Sequence, residues 1–358
     1  MFSILNKYLL KQNLLLMMVI LFSGISIYLI VDFVTRMNAI VNSGIALSVA
    51  AKYFAWKIPL IVTQIMPAIF MLAVIVQVAL MYRSNEMVAL ETNSISFTRP
   101  AFFFIIYSVL VFTCLLVFSE TLGIKGYQTT KSIWDSDIRH RQVDGAGVDN
   151  LWFKEGRTIV NIQRAWPDRG SGTGITVYNL DGPDRITEII KAPEFKVSSG
   201  MWELATPVVL KNHEFDIIHM DSLEIALETE LTSFSIMASR LPYEALSLFT
   251  LGRLITQLEE RGSNVEKLTT AWHSKIAYAF ALVVMTILGL ALTTLIKNVY
   301  ALVSVSLVIV FLYYTVYVFG VSYAEEGIIV PFLGAWLANI LFGTLGIGQI
   351  LWAEKGNP

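Results

Sequence analysis

The chain has one cysteine, Cys114, and four histidines in 358 residues. A single thiol excludes an intrachain disulfide and any cysteine-rich metal site. His140, His213, His219 and His273 are scattered, none lies in a long apolar run, and no H-E-x-x-H occurs. The zinc peptidase arrangement is therefore excluded. A G-x-x-x-x-G-K-[ST] loop is also missing. The nearest stretch, Gly170-Ser-Gly-Thr-Gly174, has no lysine, so this chain does not hold ATP in a P-loop. Charge is scarce: 15% of residues are charged and 55% are hydrophobic, whereas a soluble domain is about a quarter charged. No catalytic residue, metal or cofactor is expected from this inventory.

Charge is absent altogether from six stretches. Lys11 to Asp32 encloses 20 uncharged residues, Lys57 to Arg83 encloses 25, and Arg99 to Glu120 encloses 20. Later, Lys275 to Lys297 encloses 21, Lys297 to Glu325 encloses 27, and Glu326 to Glu354 encloses 27. Roughly 20 apolar residues cross a bilayer core as a helix, and backbone amides in lipid must be satisfied within the segment. The pattern predicts a polytopic α-helical membrane protein with six transmembrane helices. The first run is too long for the apolar part of a cleaved signal peptide and is retained as a span.

The layout divides the chain into 1–119 with three spans, a polar insert at 120–275, and 276–358 with three more. The first three spans are expected near 13–31, 58–82 and 100–119, which puts Pro59 in the first turn of the second span and Pro67 in its interior. Between Glu120 and Lys275 there are 22 acids and 17 bases; the remainder holds 6 acids and 9 bases. No basic surface points to nucleic acid. With the N-terminus cytoplasmic, six short-loop Lys or Arg residues fall inside (Lys7, Lys11, Arg83, Arg99, Lys297, Lys355) and three outside (Arg36, Lys52, Lys57). The positive-inside rule therefore places both termini in the cytoplasm and the insert outside it.

The insert reads as a helical stalk at 122–141, an all-β region at about 151–237 and a helical return at 242–275. Thr158–Gln163 and Gly174–Leu180 have strand composition, and Leu223, Ile225 and Leu227 alternate with Glu224, Ala226 and Glu228. Turn clusters at 167–172, 181–184 and 198–200 separate the runs. Eight or nine short strands at this spacing predict a sandwich or jelly roll. Gly262 is expected to stop the return helix, and Asn264 to cap one that continues into the fourth span. On the other side of the membrane, Arg83 to Arg99 alternates apolar and polar residues in the manner of a short amphipathic helix, suited to the membrane face or a partner's groove.

No span contains Asp, Glu, Lys, Arg or His. Proton-driven transporters need such groups at mid-membrane, so a transporter of this design takes its energy from another subunit.

Several segments together resemble the LptF/LptG permease family, membrane subunits of the lipopolysaccharide-export ABC transporter. Arg83-Ser-Asn-Glu-Met-Val-Ala-Leu90 followed by Ser94-Ile-Ser96 is similar to the family's cytoplasmic coupling segment. Asn150-Leu-Trp-Phe-Lys-Glu-Gly156 with Ile159-Val-Asn-Ile162 resembles the opening of its jelly roll. Trp272-His-Ser-Lys275 resembles the W-x-K entry to its fourth helix, and Pro331 with Ala335-Trp-Leu-Ala-Asn339 its last helix. Four positions depart from the family pattern: Asn93-Ser94 stands for Ser-Gly, and Ala279 and Ala338 stand for prolines. Val31-Asp32 and Leu151-Trp152 favour the LptG side of the pair over LptF.

The resemblance implies an extracytoplasmic β-jelly-roll inserted between two sets of three helices. It also implies a heterodimer with a homologous permease, a cytoplasmic ATPase dimer, a periplasmic bridge protein of jelly-roll fold, and lipopolysaccharide as cargo at the bacterial inner membrane. It further implies a cargo cavity formed by the first and fifth spans. Candidates to line it are Phe33, Arg36, Ile61, Ile65, Tyr314 and Tyr317; Arg36 offers a fork that matches phosphate. Lys52 and Lys57 either add to this cationic site or, the preferred reading, are solvated loop lysines. Arg83, Glu86, Met87 and Leu90 are candidates for the ATPase dock. Val160, Ile162, Ile175, Val177, Leu223 and Ile225 face inward in the β domain, either as an ordinary core or as an acyl-chain groove. Gln64, Gln77 and Asn339 are expected to tie helices together. A membrane-anchored scaffold or sensor with a β binding domain is the alternative reading.

Overall fold

The computed structural model describes residues 4–138, 147–181, 185–198, 201–211, 217–227, 245–260, 264–296 and 298–355. Expectations that fall on His140, His213, Lys297, the turn at 182–184, the stretch 228–244 and Gly262 lie outside the described residues. The chain forms two compact units: residues 1–140, 247–251 and 266–358 in one, and 141–246 and 252–265 in the other.

The first unit is a helical bundle. Its elements are α1 (Ile4–Asn42), α2 (Leu47–Arg83), α3 (Glu86–Thr92), α4 (Thr98–Phe118) and α5 (Ile124–Ser132), followed after the insert by α7 (Glu266–Leu295), α8 (Val299–Glu325) and α9 (Pro331–Lys355). Short π-helical turns at Ser119–Gly123 and Ile133–Ile138 join α4 and α5 into one helical run that ends at Ile138. Six helices are long and apolar enough to cross a membrane. The helix α7 is the hub, packing on α2, α4, α8 and α9 and buried without interruption from Ala281 to Thr293. Its alanines and Gly289 let neighbours approach closely; a Cβ on Gly289 would lie 3.2 Å from Ile75 Cγ1. By contrast α1 buries only Leu9, Asn13 and Met17.

Polar groups tie the bundle. Tyr313 Oη donates to Asn339 Oδ1 at 2.7 Å, and Asn339 Nδ2 donates to the Ala277 carbonyl at 2.9 Å, joining α8, α9 and α7. Gln77 Nε2 donates to the Leu9 carbonyl at 3.0 Å, joining α2 to α1. Gln64 is exposed, and its backbone carbonyl accepts from Tyr278 Oη.

The helices are longer than the charge-free runs. α1 extends to Asn42, eleven residues past Val31, and α2 begins at Leu47, eleven before Ile58. Pro59 is therefore interior to α2, not in its first turn. The reason is that charge delimits the apolar core of the bilayer and not the helix. A helix can run on into the interface, where its polar side chains pair. Likewise α7 starts at Glu266 and runs unbroken through Ile276.

The second unit carries eight strands: β1 (Val148–Glu155), β2 (Thr158–Trp166), β3 (Ser171–Leu180), β4 (Ile186–Ser198), β5 (Met201–Ala205), β6 (Val208–Lys211), β7 (Ile217–His219) and β8 (Ser222–Ala226). They form one open antiparallel sheet in the order β1-β2-β3-β4-β5-β8, with β6 pairing β4 and β7. β4 keeps β3 on one edge and changes partner on the other. Residues 188–191 pair with β6 and residues 194–198 with β5. Pro193, which has no N–H to give, stands at the change.

A seam crosses four strands. The ladders skip the positions of Asn150, Gln163, Gly174 and Pro193, which face one another in register. Asn150 and Gly174 have φ of 54° and 67°. At the seam the alternation inverts: Ile162 and Ala165 are both buried on β2, as are Gly172 and Ile175 on β3. Glycine is favoured at 174 by its φ, and a Cβ there would also have to displace the exposed Gln163 side chain. The helix α6 (Leu248–Glu260) follows, with Leu251, Leu254 and Leu258 buried at helical spacing.

Candidate functional site

Of the sequence candidates, Arg36 sits in the most developed polar site of the bundle. Asp32 and Arg36 are one turn apart on α1, and Arg36 Nε donates to Asp32 Oδ1 at 2.9 Å. Lys57, on α2, donates to the same oxygen at 2.5 Å and to Tyr53 Oη at 3.2 Å. The arginine guanidinium lies 4.2 Å from the Trp134 ring centroid and 5.9 Å from that of Tyr53. Lys57 is thus 5% exposed and paired, not a solvated loop lysine. The longer α2 carries it against α1, and its charge is neutralised by Asp32. Lys52 remains exposed on α2.

The site opens on a cavity of about 700 Å³. One face of α1 lines it, with Gly24, Ile27, Tyr28, Val31 and Thr35 at helical spacing, and Asp32, Arg36, Ala39 and Trp134 close it. The lining is apolar along its length and ionic at one end. Arg36 binds Asp32 through Nε, and among the described residues no hydrogen bond engages its terminal nitrogens. Asp32 Oδ2 is buried and has no hydrogen-bond partner among the described residues. An apolar slot ending in a guanidinium fork fits an amphiphile with an anionic head.

The other span candidates are not brought to this cavity. Phe33 is exposed and packs on Phe54, with ring centroids 5.7 Å apart. Ile61 is fully buried inside the bundle, and Ile65 lies under Gly24. Tyr314 and Tyr317, on α8, are half-buried and pack on Tyr278 of α7 at 5.9 and 5.6 Å. Sequence reasoning missed Asp32, Tyr53 and Trp134 as site residues and preferred a solvated Lys57. The i, i+4 pair Asp32 and Arg36 was a readable signal; the rest required the packing of α1 on α2 and of the turn Ile133–Ile138 beside them.

At the opposite end of α1 and α2 lies α3. Met87 is buried, in one apolar cluster with Leu9, Met81 and Phe104, and Leu90 packs against it. These two residues hold the segment to the bundle. Glu86 accepts from Tyr8 Oη at 2.8 Å and from Ser84 Oγ at 3.0 Å. Arg83, Val88 and Glu91 are exposed. Asn85 and Ser94 bracket the helix with φ of 59° and 58°.

In the sheet, Val160, Ile162, Ile175 and Val177 are buried on one face together with Phe195, Trp202 and Leu204. Leu223 and Ile225 are half-buried and line a recess of about 350 Å³ with Ile190 and Val209. Among the described residues no group of His, Cys, Asp and Glu is arranged to hold a metal.

Comparison with known proteins agrees with this architecture. The family model described as "Lipopolysaccharide export system permease LptF/LptG" matches residues 7–352. The lipopolysaccharide export system permease protein LptG of Escherichia coli strain K12 is 22% identical over 298 residues, covering 81% of each chain. The LptG protein of Escherichia coli O6:H1 strain CFT073 matches with the same figures. The family match spans the bundle, α3 and the inserted sheet alike, and the chain belongs to the LptF/LptG family of lipopolysaccharide export system permeases.

Proposed function

We propose that this chain is the LptG-side permease of an ABC exporter that extracts lipopolysaccharide from the inner membrane. Its termini and α3 face the cytoplasm, and its sheet stands in the periplasm. The observation that carries the reading is the cavity along α1, apolar over most of its length and closed by Arg36 and Trp134. Acyl chains suit the apolar face, where each buried CH₂ contributes about 0.8 kcal/mol. A phosphate suits the free fork of Arg36.

The remaining parts have matching roles. The first and fifth spans, α1 and α8, have only 6% and 17% of their membrane windows buried, against 78% for α7. Their bare faces leave room for a homologous permease, and the two chains together would complete the cargo cavity to which Phe33, Ile61, Ile65, Tyr314 and Tyr317 are assigned. A separate ATPase dimer takes the exposed side of α3, next to Arg83 and Glu86, while Met87 and Leu90 anchor that helix to the bundle. Closure driven by ATP then passes the lipid to the buried face of the sheet, through Val160, Ile162, Ile175, Val177, Leu223 and Ile225, and on to a jelly-roll bridge. Val31-Asp32 and Leu151-Trp152 support the LptG side. The chain itself performs no chemistry.

Native mass spectrometry of the complex purified through a tag on this chain tests the reading. A paralogous permease, two copies of an ATPase and a bound glycolipid are expected. A lone chain or homo-oligomer with neither ATPase nor glycolipid would refute it in favour of a scaffold or sensor.

A further inference from the structure

Glu86 opens α3, the segment assigned above to the ATPase dock, and both of its carboxylate oxygens are taken. Ser84 donates to one, and Tyr8, at the start of α1, donates to the other. Beside this contact Leu9 and Met87 are buried in one cluster, and Gln77 holds the Leu9 carbonyl. Gln77 also donates to Gln12 Oε1 at 3.5 Å, so the start of α1 is clamped to α2 and α3 by three hydrogen bonds and a packed core.

Beyond this clamp α1 meets α2 through the Lys57–Asp32 ion pair and the Phe33–Phe54 contact. Its buried residues, Leu9, Asn13 and Met17, all lie in its first half. It contains no proline, whereas α2 contains Pro59 and Pro67. The helix is unbroken from Ile4 to Asn42, and Asp32 lies about 36 Å from Tyr8 along it, at 1.5 Å per residue. A tilt of about 5° at the clamp would displace the Asp32–Arg36 pair by about 3 Å. That is enough to part Asp32 from Lys57 of α2, now at 2.5 Å, whereas the Asp32–Arg36 bond lies within α1 and moves with it.

We propose that Tyr8 is a positioning residue that locks α1 to α3 through Glu86, so that movement of α3 at the ATPase reaches the Asp32–Arg36 site through a single rigid helix. This rests on the functional reading given above. Tyr8 touches neither cargo nor nucleotide; it acts through Glu86.

The test uses the whole complex reconstituted in proteoliposomes with lipopolysaccharide and its ATPase. Tyr8 is 42% exposed, and Tyr8→Phe removes only its oxygen, so the fold is not at stake. The expected result is that lipopolysaccharide released per ATP hydrolysed falls about tenfold, the scale of losing a hydrogen bond to an ionised group. The KM for ATP and the amount of ATPase co-purified stay at wild-type values, a split that a merely structural role would not produce. Glu86→Gln combined with Tyr8→Phe is expected to lose no more than the worse single variant, because both cut the same link. Wild-type yield per ATP in Tyr8→Phe, or losses that multiply in the double variant, would overturn the proposal while leaving the transport reading intact. A wild-type complex that lacks the ATPase or shows no ATP-dependent release overturns the transport reading and this proposal with it.

Discussion

Replacing Asp32 with asparagine should destabilise the bundle more than replacing its partner Lys57 with methionine. Asp32 is the single acid facing two cations, and its Oδ1 takes both Lys57 and Arg36. The lysine is 5% exposed. Its other polar contact is the Tyr53 hydroxyl at 3.2 Å, supplemented by the Tyr28 and Tyr53 ring faces at 5.9 and 5.3 Å. Asp32→Asn leaves that ammonium buried without a counter-charge, beside the like charge of Arg36. Breaking a buried pair in this way costs about 3–5 kcal/mol, and the tyrosine contacts bring the expected figure to about 3 kcal/mol. Lys57→Met leaves Asp32 with Arg36 still at 2.9 Å, keeps a side chain of similar length against the Tyr28 and Tyr53 rings, and should cost about 1 kcal/mol. Combining the two should cost about 2 kcal/mol, well under the sum, because the unpaired ammonium is gone. Equilibrium unfolding of the single and double variants in one detergent measures all three values. An Asp32→Asn protein as stable as wild type, or strictly additive costs, would show that the pair carries no stabilisation and that Lys57 reaches solvent.

Two further substitutions test backbone geometry. Ser94 follows α3 with φ of 58°, while the Ser94 and Ile95 N–H groups donate to the Glu91 and Leu90 carbonyls. Ser94→Gly should raise stability by about 1 kcal/mol, because glycine adopts this φ without steric cost; an unchanged unfolding midpoint would count against it. In the crossing of α8 and α9, a Cβ on Gly320 would lie 2.5 Å from the Gly334 carbonyl oxygen. Gly320→Leu should therefore cost about 3 kcal/mol or more through overpacking. Gly348→Leu, where nothing lies within 4 Å of an added Cβ, should change stability by less than about 0.5 kcal/mol. Equal effects of the two would contradict the close crossing.

Much of the architecture was readable because its causes are local and strong. A run of some 20 uncharged residues has one stable state in lipid, so the six spans followed from where charge is absent. Strand alternation at Val160 and Ile162, and at Ile175 and Val177, placed those residues on the buried face. The same reasoning stopped at the ends of elements. Nothing in an apolar count reveals that α1 and α2 continue past the membrane core as polar helices, because that extension is stabilised by contacts between them. The seam through Asn150, Gln163, Gly174 and Pro193 was equally hidden: each residue alone reads as an ordinary strand interruption, and only the register of four strands lines them up.

The candidate site divides in the same way. Arg36 stood out as a cation just beyond a span, and Glu86 as an acid on an amphipathic segment. Sequence could not show that Asp32 serves both Arg36 and Lys57, that Trp134 covers the guanidinium, or that Tyr8 takes one oxygen of Glu86. Those contacts join residues up to about a hundred positions apart, and their existence depends on which helix faces pack. The sequence by itself determined how many helices cross the membrane, where the polar insert begins and the family to which the motifs point, because hydrophobicity and local spacing act residue by residue. Only the tertiary structure decided which charges are neutralised, which candidates are buried and which line a cavity, because burial and pairing are properties of neighbours brought together by packing.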